Sequence, residues 1–479
     1  MEIQELTTKK VFRYFKELAA IPHGSGNTKG VEEYCIRFAE EHGLAYFHDA
    51  FGNVMIFKDA TPGYEGHDPV ILQGHLDMVC EKVPGCAIDM EKEAIVLQTD
   101  GEYLWAKGTT LGADNGIAVA FVLALLDSQN GKHPPIEALF TIDEEVGLKG
   151  AHGLDVSKLK GTRLINIDSE DEGILTVSCA GAARVQVEVP VTEGTAGECA
   201  IEISVKGLMG GHSGMDISKD RKNAAKALGE VLDHMNKTID FNIASLSAGG
   251  RLNVIPQNGT VVITCKGKDV ANVFDAVQEY SKLIKKGCGV VEPNLFFEIK
   301  ATQYEGPVTD KAGTEKLIAA LFMFPHGVTA MDPNIKDLVL TSLNMGSVEY
   351  KDGKLTIGFM IRSNADYGRI LLKNQITAIA RCLGGDMEVI TEYPAWEYLQ
   401  NSPLRDVMSA AYEDLYGEAP QITAIHAGLE CGIILTKLPD LDCVSFGPTM
   451  KGVHTPEEKL DIHSAERTFH YFLHILENL

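Results

Sequence analysis

The ten cysteines of this 479-residue chain include no C-x-x-C pair. Their scatter does not suggest a disulfide framework, so a reducing, cytoplasmic setting is expected. No apolar run approaches the ~20 residues that a membrane-spanning helix needs, and the N-terminal MEIQELTTKKVFRYF lacks the uninterrupted apolar core of a secretory leader. Positive charge is scarce: 43 Lys and Arg stand against 67 Asp and Glu, a formal net charge of -24. Nucleic acid and anionic membrane both demand a basic footprint, and neither is expected as a partner. Two familiar signatures are also missing. HGSGNTKG, His23 to Gly30, has neither the G-x-x-x-x-G-K-[ST] spacing of a phosphate cradle nor a β-rich run before it. Around His212, G-H-S-G-M departs from the G-x-S-x-G of a serine nucleophile.

What is present reads as an α/β protein. With 45% hydrophobic and 23% charged residues the composition is that of a globular chain, long enough for about three domains of roughly 150 residues. Val11 to Ala20 has helical spacing and stops before Pro22, Val31 to Gly43 is a second helix, and Asn53 to Phe57 a strand. The apolar run Val70-Ile71-Leu72 predicts a buried strand with His75 and Asp77 at its C-terminal edge, where open α/β sheets place their ligands. Alone, the pair reads more readily as an ordinary hydrogen bond than as a metal ligand with its orienting carboxylate. Ile117 to Leu126 predicts a buried helix entered through Gly112-Ala113-Asp114-Asn115-Gly116, where Asp114 by itself reads more readily as an N-cap than as a metal ligand. The strand Ile136 to Ile142 ends in Asp143-Glu144-Glu145. Adjacent acids at a closed site raise one another's pKa unless a cation absorbs the charge. A further strand, Ile165 to Ile167, ends in Asp168, with Glu170 and Asp171 read as a solvated turn. After the strand Cys443 to Phe446, Gly452-Val453-His454-Thr455-Pro456 supplies a second imidazole. Two imidazoles and several carboxylates with no thiolate suit a dinuclear site holding zinc, with manganese or cobalt able to substitute.

H-L-D, G-A-D-N-G, D-E-E-V-G, N-I-D-S and G-V-H-T-P, in this order, resemble the dinuclear-zinc exopeptidase family that includes carnosinases, aminoacylases and bacterial dipeptidases. The resemblance spans the chain. It implies two Zn2+ ions, His75 and Asp168 holding one and Glu145 and His454 the other. It also implies Asp114 as the bridge, in a non-proline cis peptide with Asn115, Asp77 as the residue that orients His75, and Glu144 as general base. The implied activity is metal-dependent hydrolysis of small peptides. HLDMVCEK and the chain length point within the family to dipeptides with a C-terminal histidine. The alternatives in the same family are a tripeptide aminopeptidase and an N-acyl amino acid deacylase, and a non-catalytic binder would not need Glu144.

Between residues 183 and 392 the pattern changes to two copies of a ferredoxin-like βαββαβ module. One runs through Leu252–Pro256, Thr260–Cys265, a helix over Val270–Ile284 and Leu295–Ile299. The other runs through Leu343–Val348, Leu355–Ile361, a helix over Ile370–Leu383 and Met387–Thr391. Residues 1–182 and 393–479 would then form one mixed-sheet catalytic domain with helices on both faces, and 183–392 an inserted α+β lid. Oligomerisation, as a homodimer, is its plainer role. Isolated, a loop His, a strand Asn and a strand-end Arg are ordinary structural residues. The resemblance implies instead that His212 and Asn253 polarise the scissile carbonyl, that Arg362 grips the substrate carboxylate, and that backbone near Gly428 lines the substrate pocket.

Overall fold

The computed structural model describes residues 3–6, 8–129 and 131–479. The chain divides into two compact units, 1–179 with 398–424 and 429–479, and 180–397 with 425–428. The short return Ile425–Gly428 to the second unit lies outside the expected boundaries, and it carries Gly428 with it.

The first unit is built on an eight-stranded sheet in the order Ala45–His48, Val54–Lys58, Ile136–Thr141, Val70–His75, Arg163–Asn166, Asp442–Ser445, Ile174–Cys179, Gln421–Ile425. The four strands from Ile136–Thr141 to Asp442–Ser445 run parallel, and antiparallel pairs flank them. All six residues of Val70–His75 and of Ile136–Thr141 are buried, as expected for a parallel centre covered on both faces. The helix Ala113–Leu126 explains part of that cover. Its residues from Asn115 to Leu126 are all buried, so it has no polar face to offer water. Its Phe121 ring lies 5.3 Å from Phe469 and 6.4 Å from Phe472 of the helix Ile462–Glu477. Burying each such large apolar side chain contributes about 1.5–3 kcal/mol. The helix start approaches the sheet so closely that a Cβ on Gly74 would lie 2.5 Å from Asn115 Oδ1, and only glycine fits there. Lys58 closes the other end, its ammonium donating to the carbonyls of Leu125, Leu126 and Ser128 where the helix runs out.

The second unit holds a nine-stranded antiparallel sheet, and its duplication is nested rather than consecutive. Cys199–Lys206, the helix Ala224–Asn236, the hairpin Phe241–Gly249 and Gly259–Cys265, the helix Val270–Cys288 and Phe296–Thr302 form one βαββαβ module, with spatial order 4-1-3-2. The second has the same order, from Gly181–Pro190, the helix Lys311–Met323, Val339–Lys351, Lys354–Ser363, the helix Asp366–Cys382 and Asp386–Tyr393. The first module is therefore inserted between the first strand and first helix of the second. The two join edge to edge from Leu246↔Tyr350 to Gly249↔Ser347, and the four helices share one apolar core with the sheet. Leu252–Pro256 is not the hairpin strand the sequence suggested. The glycines at 249 and 250 take positive φ, Pro256 has no N–H to give to a ladder, and Val254–Ile255 pairs instead with Gly211–His212.

Candidate metal centre

The C-terminal ends of the parallel strands, the start of the helix Ala113–Leu126 and the loop 452–456 bring together residues up to 379 positions apart in sequence, since His75 and His454 face the same carboxylate. His75 Nε2 lies 3.1 Å from Asp114 Oδ1 and 3.6 Å from Asp168 Oδ1. His454 Nε2 lies 3.0 Å from Asp114 Oδ2 and 2.7 Å from Glu145 Oε1. Asp114 thus presents one oxygen to each imidazole. Three groupings have one donor atom per residue within 4.8 Å of the others: His75, Asp114 and Asp168; Asp114, Glu145 and His454; His75, Glu144 and Glu145. These N and O donors fit a pair of borderline divalent ions.

The loops that carry these groups are held in unusual conformations. The Asp114–Asn115 peptide is cis. Asp143 and His454 have φ of 52° and 64°, left-handed values uncommon outside glycine that surrounding contacts must maintain. A four-stranded sheet brings His454 into place: the loop bearing it connects Met450–Lys451 to Lys459–Asp461, and Lys459–Asp461 pairs with Tyr103–Ala106.

Electrostatics report the crowding. Burial, reinforced by Asp114 and Glu145, pushes the Asp168 carboxyl up to about 6 despite the hydrogen bond to His75. Burial, with Asp168, Glu145 and Glu430, holds Glu144 well above the usual range against the pull of His75. Hydrogen bonds to Asp114 and Glu145 push His454 up to about 11. Cations that neutralise these carboxylates would remove the cost of assembling them.

Asp77 differs in detail from its expected part. The Nδ1 of His75 is 3.0 Å from the Asp77 backbone oxygen and 3.4 Å from its carboxylate. The carboxylate also accepts from Ser25 Oγ at 2.7 Å and from the backbone N–H groups of Glu144 at 2.9 Å and Glu145 at 3.3 Å. It therefore orients the imidazole and the acidic loop together.

Sequence reasoning missed three supports. Asn115 accepts from the His75 backbone N–H and donates to Ile167 O and Asp168 Oδ1. Buried Glu458 accepts from four successive N–H groups, Leu111 to Asp114, and so fixes the segment that aims Asp114. Buried Glu430 accepts from Gln73 at 2.6 Å and Thr141 at 2.5 Å, and burial lifts it to about 7. Asn115 lay inside a motif already singled out. Glu458 and Glu430 had no signal beyond being acids in a chain rich in acids.

The remaining predicted residues lie in the second unit. His212 Nδ1 accepts from the N–H groups of Gly214 and Met215, and burial with Arg362 nearby keeps the ring neutral. Its Nε2 then carries the proton. Arg362 is 6% exposed. Its neighbours are Ser213, at 3.5 Å, Tyr393 and Arg184, and among the described residues no carboxylate pairs with it. Gly428 approaches Tyr393 so closely that a Cβ would meet the ring at 2.8 Å. Asn253 has an exposed side chain and gives its backbone oxygen to Ser213 N–H at 2.9 Å.

No described helix is long and apolar enough to cross a membrane, and all ten cysteines are free. Over its full length the chain is 34% identical to the cytosol non-specific dipeptidase of Escherichia coli, covering 98% of that protein. The crystal structure of an aminoacylhistidine dipeptidase from Vibrio alginolyticus superposes with a TM-score of 0.93 at 36% identity, covering 100% of this chain and 98% of that one. An aminopeptidase from Bacillus cereus shares the fold alone, with a TM-score of 0.55 at 16% identity and 98% of each chain covered. Residues 71–478 match the peptidase family M20/M25/M40, and the chain belongs to that family.

Proposed function

We propose that this protein is a metal-dependent dipeptidase. The observation that carries the reading is Asp114, whose two carboxylate oxygens face His75 on one side and His454 on the other, as a bridge between two ions requires. His75 and Asp168 would hold one ion, Glu145 and His454 the other, with Zn2+ as the metal and Mn2+ or Co2+ as substitutes. Two such ions, when bound, supply a water acidified toward neutrality and a Lewis acid for the peptide carbonyl.

The chain's own residues do the rest. Glu144 takes the proton of the attacking water and returns it to the departing amine. Asp77 keeps Glu144 in reach through its backbone N–H. In the same reading His212, with its proton on Nε2, and Asn253 donate to the carbonyl oxygen as charge develops. Arg362, a buried guanidinium without a carboxylate partner, takes the terminal carboxylate, and Gly428 lines the pocket with backbone.

The substrates are small dipeptides, with C-terminal histidine preferred, a preference that rests on the family resemblance and on the activity for which the Vibrio relative is named. The reading places the protein in the cytoplasm, gives it neither nucleic acid nor membrane as a partner, and assigns residues 183–392 a lid role, with homodimer formation as the plainer alternative. The test is a panel of Xaa-His dipeptides, other dipeptides, tripeptides and N-acyl amino acids, run on metal-replete and chelated protein. Hydrolysis confined to metal-replete protein and strongest on Xaa-His supports it. Preference for tripeptides or acyl amino acids overturns the substrate assignment.

A further inference from the structure

The HGSGNTKG loop is no phosphate cradle, yet the first unit holds it by several contacts. Gly24 bridges to Met78, and a Cβ on Gly24 would lie 2.6 Å from Cys80 Sγ. Ser25 Oγ donates to Asp77, Gly26 N–H to Asp143 at 2.6 Å, and Asn27 to the backbone oxygen of Glu91 at 3.0 Å. Between this loop and the segment Met78–Lys92 lies a cavity of about 660 Å³ that ends at Glu145 and Val146. It therefore opens beside one of the carboxylates of the centre.

Its chemistry is one-sided. Met78 and Met90 are buried and Val146 is half exposed, which gives it apolar walls. The charged side chains lining it are Glu91, Lys92 and Glu145; Glu145 belongs to the centre and Lys92 is paired with Asp89 at 3.0 Å, which leaves Glu91 as the acidic group offered to a ligand. An acidic, apolar-walled cavity attracts an ammonium and repels a carboxylate. Of the two ends of a peptide, the amino-terminal one suits it. Unbranched methionine walls adapt to side chains of different size.

Resting on the dipeptidase reading above, we propose that this cavity is the subsite for the amino-terminal residue of the substrate, with its side chain against Met78, Met90 and Val146 and its ammonium facing Glu91. The experiment compares metal-loaded wild type, Met90→Trp, Glu91→Gln and Glu91→Asp on glycyl, alanyl and leucyl dipeptides with one common C-terminal residue. Filling the cavity with Met90→Trp lowers kcat/KM for the leucyl substrate about tenfold more than for the glycyl one, the scale on which apolar pockets discriminate by size. Glu91→Gln raises KM about tenfold with a smaller change in kcat, and Glu91→Asp restores part of it, as loss and return of a charge-assisted contact require. Should Met90→Trp fail to fold, the exposed Glu91 variants still decide the ammonium contact, and Cys80→Phe fills the same cavity from its exposed wall. Losses uniform across the panel, or none, with an active wild type overturn the subsite alone. A wild type inactive on every dipeptide overturns the dipeptidase reading and the subsite with it.

Discussion

The candidate site of the first unit concentrates negative charge, whereas the group proposed to bind substrate in the second is a buried cation. At the sheet edge of the first, five carboxylates, of Asp77, Asp114, Glu144, Glu145 and Asp168, surround two imidazoles. In the second, Arg362 is a buried cation with Arg184 nearby and no carboxylate partner among the described residues, and burial with Arg362 and His212 nearby brings His426 down to about 3. The two suit different ligands: a crowd of carboxylates would suit cations, and a buried guanidinium without a carboxylate partner would suit an anion. Four changes break or sharpen that contrast.

Glu144→Gln has the largest expected effect. It retains about two metal ions per chain, since the ligands are untouched, and loses hydrolysis by a factor on the order of 10²–10⁴, the usual contribution of general base catalysis. Elemental analysis beside kcat checks it, and substantial turnover refutes the base assignment. Glu458→Gln follows. Removing a carboxylate that collects four backbone N–H groups loosens Asp114, so metal affinity falls about 10–100-fold, the range found for outer groups that orient ligands. Competition with a chelator measures this.

Arg362→Ala acts on the other unit. Metal content stays unchanged while kcat/KM falls about tenfold or more, because a charge-assisted hydrogen bond contributes about 1.5–3 kcal/mol. Amidating the substrate's C-terminus reproduces most of the loss in wild type and adds little in the variant, because both delete one contact. Independent, multiplying losses would remove Arg362 from the carboxylate.

The smallest effect is on stability. Burial, with Lys226 and Lys222 nearby, holds His326 at about 3, and His426 is held at about 3. Both pKa values are lowered by folding, so the unfolded chain, with histidines near ~6.5, takes up protons first. The stability these two histidines contribute is present above about pH 6.5 and is lost as pH falls toward about 3. Calorimetry should show the transition of the second unit moving to lower temperature between pH 7 and 5, and His326→Gln should flatten that dependence.

Much of the first unit was legible because its candidate ligands sit at the ends of short apolar runs, and parallel strands carry such ends to one edge. His75, Glu145 and Asp168 follow that rule. His454 does not, since it hangs on a separate small sheet; it was singled out as a second imidazole after a late strand, and its part in the centre came from the G-V-H-T-P resemblance. The modules of the second unit were legible as a repeated pattern, but their nesting was not. The pairing of Leu246 with Tyr350 is a contact across 104 residues, and alternation within a strand carries no record of its neighbour. Glu458 and Glu430 were invisible for a related reason, since a carboxylate buried by distant backbone looks in sequence like one in solvent.

Hydrolysis is expected to run on two metal ions held around Asp114. The most direct test is titration of verified metal-free protein with zinc, reading dipeptide hydrolysis and bound metal in the same samples. The account predicts no turnover without metal and a maximum near two equivalents per chain. Full activity in the metal-free sample would contradict it.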